Sequence, residues 1–232
     1  MSSPQLSPPA RTRSRVTPFG TGTVCALLAL VVLTLVAVRW SPLMTLDRNI
    51  ADALHRRAVT EPGLVHTNRI LTDWAWDPWT MRGLITVAVV VLWWRGERLL
   101  AVWVAATSVL ATLVQQGLKS AVGRERPQWP DPVDSAHYAA FPSGHAMTAL
   151  VSCGLLLWLL RRHGTGPRLW RTALVVAFVS VVGVGLTRLY LGVHWLSDVL
   201  GGWLLGAALV AFSIAGYARY ERRGGPRTPG CS

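Results

Sequence analysis

Charge is scarce in this 232-residue chain. Only 15% of its residues are charged, against about 25% in an average soluble domain. Acids are the rarer sign, 11 Asp and Glu against 23 Lys and Arg. Lysine is almost missing, since Lys119 is the sole one. Cysteine is also sparse: Cys25 and Cys153 fall inside apolar runs and Cys231 near the C-terminus. With no paired spacing, they imply neither a disulfide framework nor a zinc site. The acids between the apolar runs are scattered rather than clustered, which argues against a Mg²⁺ site.

What the chain has in abundance is apolar sequence, 51% of it hydrophobic and gathered in long blocks. Blocks of this kind read as membrane spans rather than as the core of a soluble domain. A net charge of +12 raises nucleic acid as a partner. The basic residues, however, cluster at the ends of the apolar blocks and in the tails, where anionic lipid and membrane topology account for them. No nucleic-acid partner is expected, and the sequence leaves the oligomeric state open.

Residues 1–21 are rich in Ser, Pro and Arg and read as a disordered basic arm. The first apolar block, Thr23–Val38, is long for a cleaved signal and is followed by Arg39-Trp40 instead of a small-residue cleavage site. A retained first span is therefore expected. In the polar connection Ser41–Thr80, Leu46, Ile50 and Leu54 recur every four residues. They predict an amphipathic helix, lying in the interface or packed on the body, with Asp47 and Arg48 elsewhere on its wheel. Trp74, Trp76 and Trp79 form an aromatic belt ahead of a short second span, Trp79–Trp94, which carries Arg82. Four more spans follow near 99–118, 146–160, 170–186 and 199–215. The fold class expected is all-α, a six-span helix bundle over residues 22–218, with a basic tail at 219–232. With six spans, the Arg-rich segments share one face, cytoplasmic by the positive-inside rule. The loops at 119–145 and 187–198 share the opposite face.

Those two loops carry the chemistry. Thr112, Gln116 and Lys119 are spaced to line one helical face leading into the first of them. Beyond Arg126-Pro127, the run Phe141-Pro142-Ser143-Gly144-His145 opens a span. Ser143 is typed as an N-cap, a helix N-terminus favours an anion, and Gly144 lets backbone approach a ligand. In the second loop, His194 and Asp198 are four apart, so a carboxylate can take the imidazole Nδ1–H. Arg188 adds a planar fork suited to phosphate oxygens. Singly, each has a plainer account: headgroup anchors for Lys119 and Arg126, a simple cap for Ser143, an interfacial ring for His145. Together they make two imidazoles, a carboxylate, three cations and a helix N-terminus, a set suited to phosphoryl transfer through a covalent intermediate.

Lys119-x6-Arg126-Pro127, then Pro142-Ser143-Gly144-His145, then Arg188-x5-His194-x3-Asp198 resembles the type 2 phosphatidic acid phosphatase family, whose site is shared with vanadium haloperoxidases. The resemblance implies a membrane lipid-phosphate phosphatase working without metal or other cofactor and inhibited by vanadate. It implies His194 as nucleophile, Asp198 as its orienting carboxylate, and His145 as the acid and base. Lys119, Arg126, Ser143, Gly144 and Arg188 would bind phosphate. Thr187 stands where the family usually has Ser, as a possible further contact. Substrates of such bacterial enzymes include undecaprenyl diphosphate, phosphatidylglycerophosphate and phosphatidate. The alternatives are a lipid phosphotransferase using the same intermediate and, in another class, a transporter or scaffold.

Overall fold

The computed structural model describes residues 17–224. Most of the expected basic arm and the end of the tail thus lie outside the described residues. Eight α-helices account for most of the described residues: α1 (Pro18–Ala37), α2 (Ser41–Ala58), α3 (Pro62–Ile70), α4 (Pro78–Trp94), α5 (Arg98–Val122), α6 (Gly144–Arg162), α7 (Pro167–Tyr190) and α8 (Leu196–Gly224). A π-helical turn, Leu71–Ala75, joins α3 toward α4. No strand occurs among the described residues.

Helices α1, α5, α6, α7 and α8 are long and apolar enough to cross a membrane, which makes this a multi-pass membrane protein. The expected second span, now α4, has 17 residues and carries Arg82, so it is not among the five. α1 begins before the expected Thr23 because Thr17 caps it, its Oγ1 accepting the Gly20 N–H at 3.2 Å, with Pro18 preset for the first turn. α8 runs through Gly224, past the expected domain end at 218.

The core lies among α4, α5, α6 and α8, where Ile85, Leu100, Val104, Met147, Leu155 and Val210 are buried together. Two glycines set the closeness of α6 and α8. A Cβ at Gly202 would lie 2.7 Å from the Ser143 carbonyl, and one at Gly206 would lie 3.2 Å from that of Met147. Backbone thus rests on backbone, as small-residue spacing permits within a bilayer. Polar contacts add to this: the Trp103 indole donates to Ser213 Oγ at 2.9 Å, and Thr107 and Ser213 share a 2.7 Å bond. Such intramembrane bonds contribute about 0.6 kcal/mol each.

α2 departs from its expected wheel. Leu46 is 48% exposed, while Asp47, Ala51, His55 and Ala58 are buried. The helix does pack on the body, but through a face that includes the carboxylate assigned to its polar side. The aromatic belt is also divided. Trp74 and Trp79 are exposed, whereas Trp76 packs against Gly183 of α7. At one end of the bundle α2, α3, the π turn, the segment 123–143 and the turn 191–195 come together. Glu97, His163, Arg162 and Glu221 meet at the other.

Candidate active site

α7 extends to Tyr190, beyond the expected Leu186, and places Thr187 and Arg188 on its last turn. The chain reverses at Gly192, whose φ of 67° suits a residue without a Cβ. α8 starts at Leu196, so His194 sits just before it and Asp198 in its first turn. His194 is 2% exposed and Asp198 fully buried. His194 Nδ1 lies 3.3 Å from Asp198 Oδ2, which also accepts the Trp195 backbone N–H at 2.9 Å.

The other ring nitrogen, Nε2, lies 3.2 Å from Arg126 Nη1. A guanidinium only donates, so Nε2 is the acceptor and the ring proton sits on Nδ1, shared with Asp198. Burial first, then the charges of Arg126, Arg188 and Lys119, hold His194 well below the usual histidine value. The ring is therefore neutral at neutral pH, with its free lone pair directed at the cations. Arg126 is held by carbonyls of both loops, donating to Tyr138 O at 2.9 Å and Val193 O at 2.6 Å. Burial, followed by the Arg188 charge, lowers it to about 10, so it stays cationic.

Lys119 is buried near the end of α5 and donates to the Ala139 carbonyl. The polar residue buried beside it on α5 is Gln115, not the expected Gln116. A Cβ on Gly144 would lie 2.7 Å from Gln115 Nε2, so any larger residue where α6 begins would have to displace the Gln115 amide. Ser143 occupies the N-cap position, yet its hydroxyl makes no capping bond and has no partner at all, although fully buried. Arg188 is 5% exposed; one terminal nitrogen reaches Thr72 Oγ1 of the π turn at 3.4 Å, and its Nε is likewise unpartnered. Buried donors without partners are costly, and an anion's oxygens would satisfy both. His145, half-buried in the first turn of α6, has the cations Arg188, Arg126 and Lys119 and the His194 ring as its neighbours. Thr187 donates its hydroxyl to Val184 O at 2.8 Å, within its own helix. The charges of Lys119, Arg126 and Arg188 bear on both His145 and His194.

Three participants were not anticipated. Arg124 donates to Asp198 Oδ1 at 2.6 Å, to Ser197 Oγ at 2.6 Å and to Asp47 Oδ2 at 2.7 Å. Asp47 in turn accepts the Ser197 N–H at 3.0 Å. Arg124 was visible only as a third basic residue two positions before Arg126; Asp47, on α2, gave no local signal. The Ser143 N–H bonds the Asp198 carbonyl at 2.9 Å, tying the start of α6 to that of α8. Among the described residues, no group of three or more His, Cys, Asp or Glu is arranged to hold a metal ion.

Known proteins share this arrangement of sequence. The chain is 35% identical to phosphatidylglycerophosphatase B of Bacillus subtilis over 48% of its own length and 54% of the relative's. It is 29% identical to an undecaprenyl-diphosphatase of Sulfolobus acidocaldarius over 56% of its length and 61% of that protein's. The chain thus spans little more than half the length of these two relatives. The crystal structure of a transmembrane PAP2-type phosphatidylglycerolphosphate phosphatase from Bacillus subtilis has the same fold, with a TM-score of 0.69 at 23% identity, over 88% of this chain and 98% of that one. The family model of the PAP2 superfamily matches residues 100–222. That stretch is just over half the chain and contains all three motifs, so the chain belongs to the PAP2 superfamily.

Proposed function

We propose that the protein is a membrane lipid-phosphate phosphatase working through a phosphohistidine on His194. The observation carrying this reading is that His194 Nε2, backed by Asp198 through Nδ1, faces a cluster in which two buried donors, Ser143 Oγ and Arg188 Nε, lack partners. A phosphate there would take bonds from Ser143, Arg188, Arg126, Lys119 and the first N–H groups of α6. His194 Nε2 then bonds to phosphorus as the bond to the leaving oxygen breaks. His145 gives that oxygen a proton. Asp198 supports the positive charge building on the ring, and the cations stabilise the charge on the equatorial oxygens. In the second half, His145 takes a proton from water, the water oxygen bonds to phosphorus, and the P–N bond breaks to regenerate His194.

The topology proposed has six spans, with α4 as the short sixth. At about 1.5 Å per residue, 17 residues reach about 25 Å, near a hydrocarbon core of about 30 Å. Arg82 on α4 lies over the Trp79 ring at 5.4 Å, as a snorkelling side chain would. Both termini would then be cytoplasmic by the positive-inside rule, and the site would face away from the cytoplasm. The proposed substrate is a long-chain lipid phosphate or diphosphate. Undecaprenyl diphosphate is put first because a site facing away from the cytoplasm suits it. Phosphatidylglycerophosphate follows, both of them named in relatives, and then phosphatidate, which rests on the family resemblance alone.

The test is phosphate release from those three lipids by wild type, His194→Ala and His145→Ala in detergent. Both variants are expected to lose nearly all turnover on the preferred lipid while keeping the wild-type melting temperature. Wild-type turnover by either variant would remove its assigned role. Label passing to a second lipid instead of free phosphate would replace hydrolysis with phosphotransfer.

A further inference from the structure

We propose that Asp47 of α2 is a positioning residue for His194, engaging Arg124 so that the charge of Asp198 is left to the nucleophilic ring. The inference rests on the phosphohistidine reading and deepens it. Asp47 is 1% exposed and lies outside the family match, on a helix that the sequence places either in the membrane interface or packed on the body. It reaches the site across 150 positions of sequence to bond Ser197, and across 77 to bond Arg124. One guanidinium thus stands between two buried carboxylates, with its Nη1 on Asp198 and its Nη2 on Asp47.

The charges decide what this does. Arg124 with Asp198 alone would be a neutral pair, and His194 would see little net field behind its Nδ1. With Asp47 added, the triad carries one net negative charge. It lies behind a ring that turns positive as it bonds to phosphorus, where a low dielectric magnifies the attraction. The groups on the other sides of His194 are all basic: Arg126 from the segment 123–143, Lys119 from α5, His145 from α6 and Arg188 from α7. Those cations grip phosphate but oppose charge on the ring. Besides the Ala140 backbone, a neutral dipole that favours charge on the ring, the counterweight is the net negative charge on the Asp198 side, and Asp47 maintains it. It also explains why α2 turns a carboxylate inward while Leu46 faces out.

The test compares pH–rate profiles of wild type, Asp47→Asn and Asp47→Asn with Arg124→Gln, using a lipid phosphate that wild type hydrolyses. Asn keeps an oxygen for the Ser197 N–H and removes the charge, together with the Oδ2 acceptor that Arg124 and the Ser197 hydroxyl use. The double variant also removes the guanidinium that this amide would face. Asp47→Asn is expected to lower kcat by about 10- to 100-fold with KM unchanged. It should also move the acid limb of kcat/KM down by about one pH unit, since a ring with less negative support gives up its proton earlier. The double variant, which cancels both charges, should return the limb to its wild-type position and recover most of the turnover. A purely structural role would lower the folded yield, which does not move a limb, and would leave the double variant no better than the single. An unshifted limb with unchanged kcat in Asp47→Asn, or a double variant displaced as far as the single, overturns the proposal. If Asp47→Asn does not fold, the limb of the double variant decides alone. His194→Ala is run alongside: full turnover there brings down the phosphohistidine reading and this inference with it, whereas an inactive His194→Ala beside an unaltered Asp47→Asn removes only the inference.

Discussion

Among the described residues three histidine–carboxylate pairs occur, His55–Asp131 at 3.1 Å beside the site, His194–Asp198 within it and His163–Glu97 at the far end. The far pair is the shortest, although it has no proposed chemistry. His163 Nε2 lies 3.0 Å from Glu97 Oε1, against 3.3 Å for His194 Nδ1 and Asp198 Oδ2. What separates them is the rest of each ring's surroundings. His163 turns its second nitrogen onto the Leu159 carbonyl at 2.8 Å, so each nitrogen is occupied by a protein acceptor and neither is directed at a space where a ligand could sit. The pair is also open to water, with side-chain exposures of 26% and 32%, and water weakens such contacts. His194 is sealed, has one nitrogen on a carboxylate, and turns the other toward a cluster of cations. Between these two, distance alone would have selected the wrong pair, and burial and the partner of the second nitrogen select the other. His55 is set apart from His194 by its carboxylate, since Asp131 is exposed whereas Asp198 is buried.

Making the same chemical change at both ends should therefore give very different results. In Asp198→Asn the amide nitrogen can donate to Nδ1, shifting the ring proton to Nε2 and removing the attacking lone pair. Phosphate release should fall by about 10³- to 10⁴-fold. Glu97→Gln should leave turnover within about twofold, because nothing at that end touches the reacting atoms. Comparable losses in the two variants would erase the distinction.

A smaller effect sharpens the picture at the site itself. Ser143→Ala removes a hydroxyl with no partner in the protein, so turnover should drop by about 10- to 100-fold. The melting temperature should hold or rise slightly, as an unsatisfied buried group is removed. A large fall in melting temperature would mean that the hydroxyl serves as a cap after all. The pH profile tests the same surroundings. The depressed His194 value means that the neutral, attacking form persists into acid, placing the acid limb of kcat/KM below the ordinary 6.5. A limb above that value would mean that the ring is less enclosed by cations than described. The smallest effect belongs to the open pair: Glu97→Gln should alter unfolding free energy by no more than about 1 kcal/mol, read by denaturant titration in detergent.

Much of the site was legible because its determinants are local. A Ser-Gly-His opening an apolar run fixes a helix start, and a four-residue spacing fixes which ring nitrogen meets Asp198. What escaped depends on the environment rather than on spacing. The stripe Leu46, Ile50, Leu54 reads as the apolar face of an amphipathic helix, yet beside a bilayer the outside of a protein is apolar too: Leu46 is exposed while Leu54 packs on the core. Hydrophobicity therefore loses its power to point inward, and Asp47 is the residue that turns in. Gln115 and Gln116 both lie within one turn of Lys119, and only the seat of α6 against α5 decides between them. The span count suffers from the same ambiguity, since α4 combines near-sufficient length with Arg82.

The central claim is that His194 Nε2 bonds to phosphorus. It is tested most directly by rapidly quenching the enzyme during turnover of a lipid radiolabelled in its phosphate, then mapping the protein-bound label by peptide. The account predicts an acid-labile, alkali-stable label on the peptide containing His194, absent from His194→Ala. Label on His145, or full turnover with no label on any histidine, would contradict it.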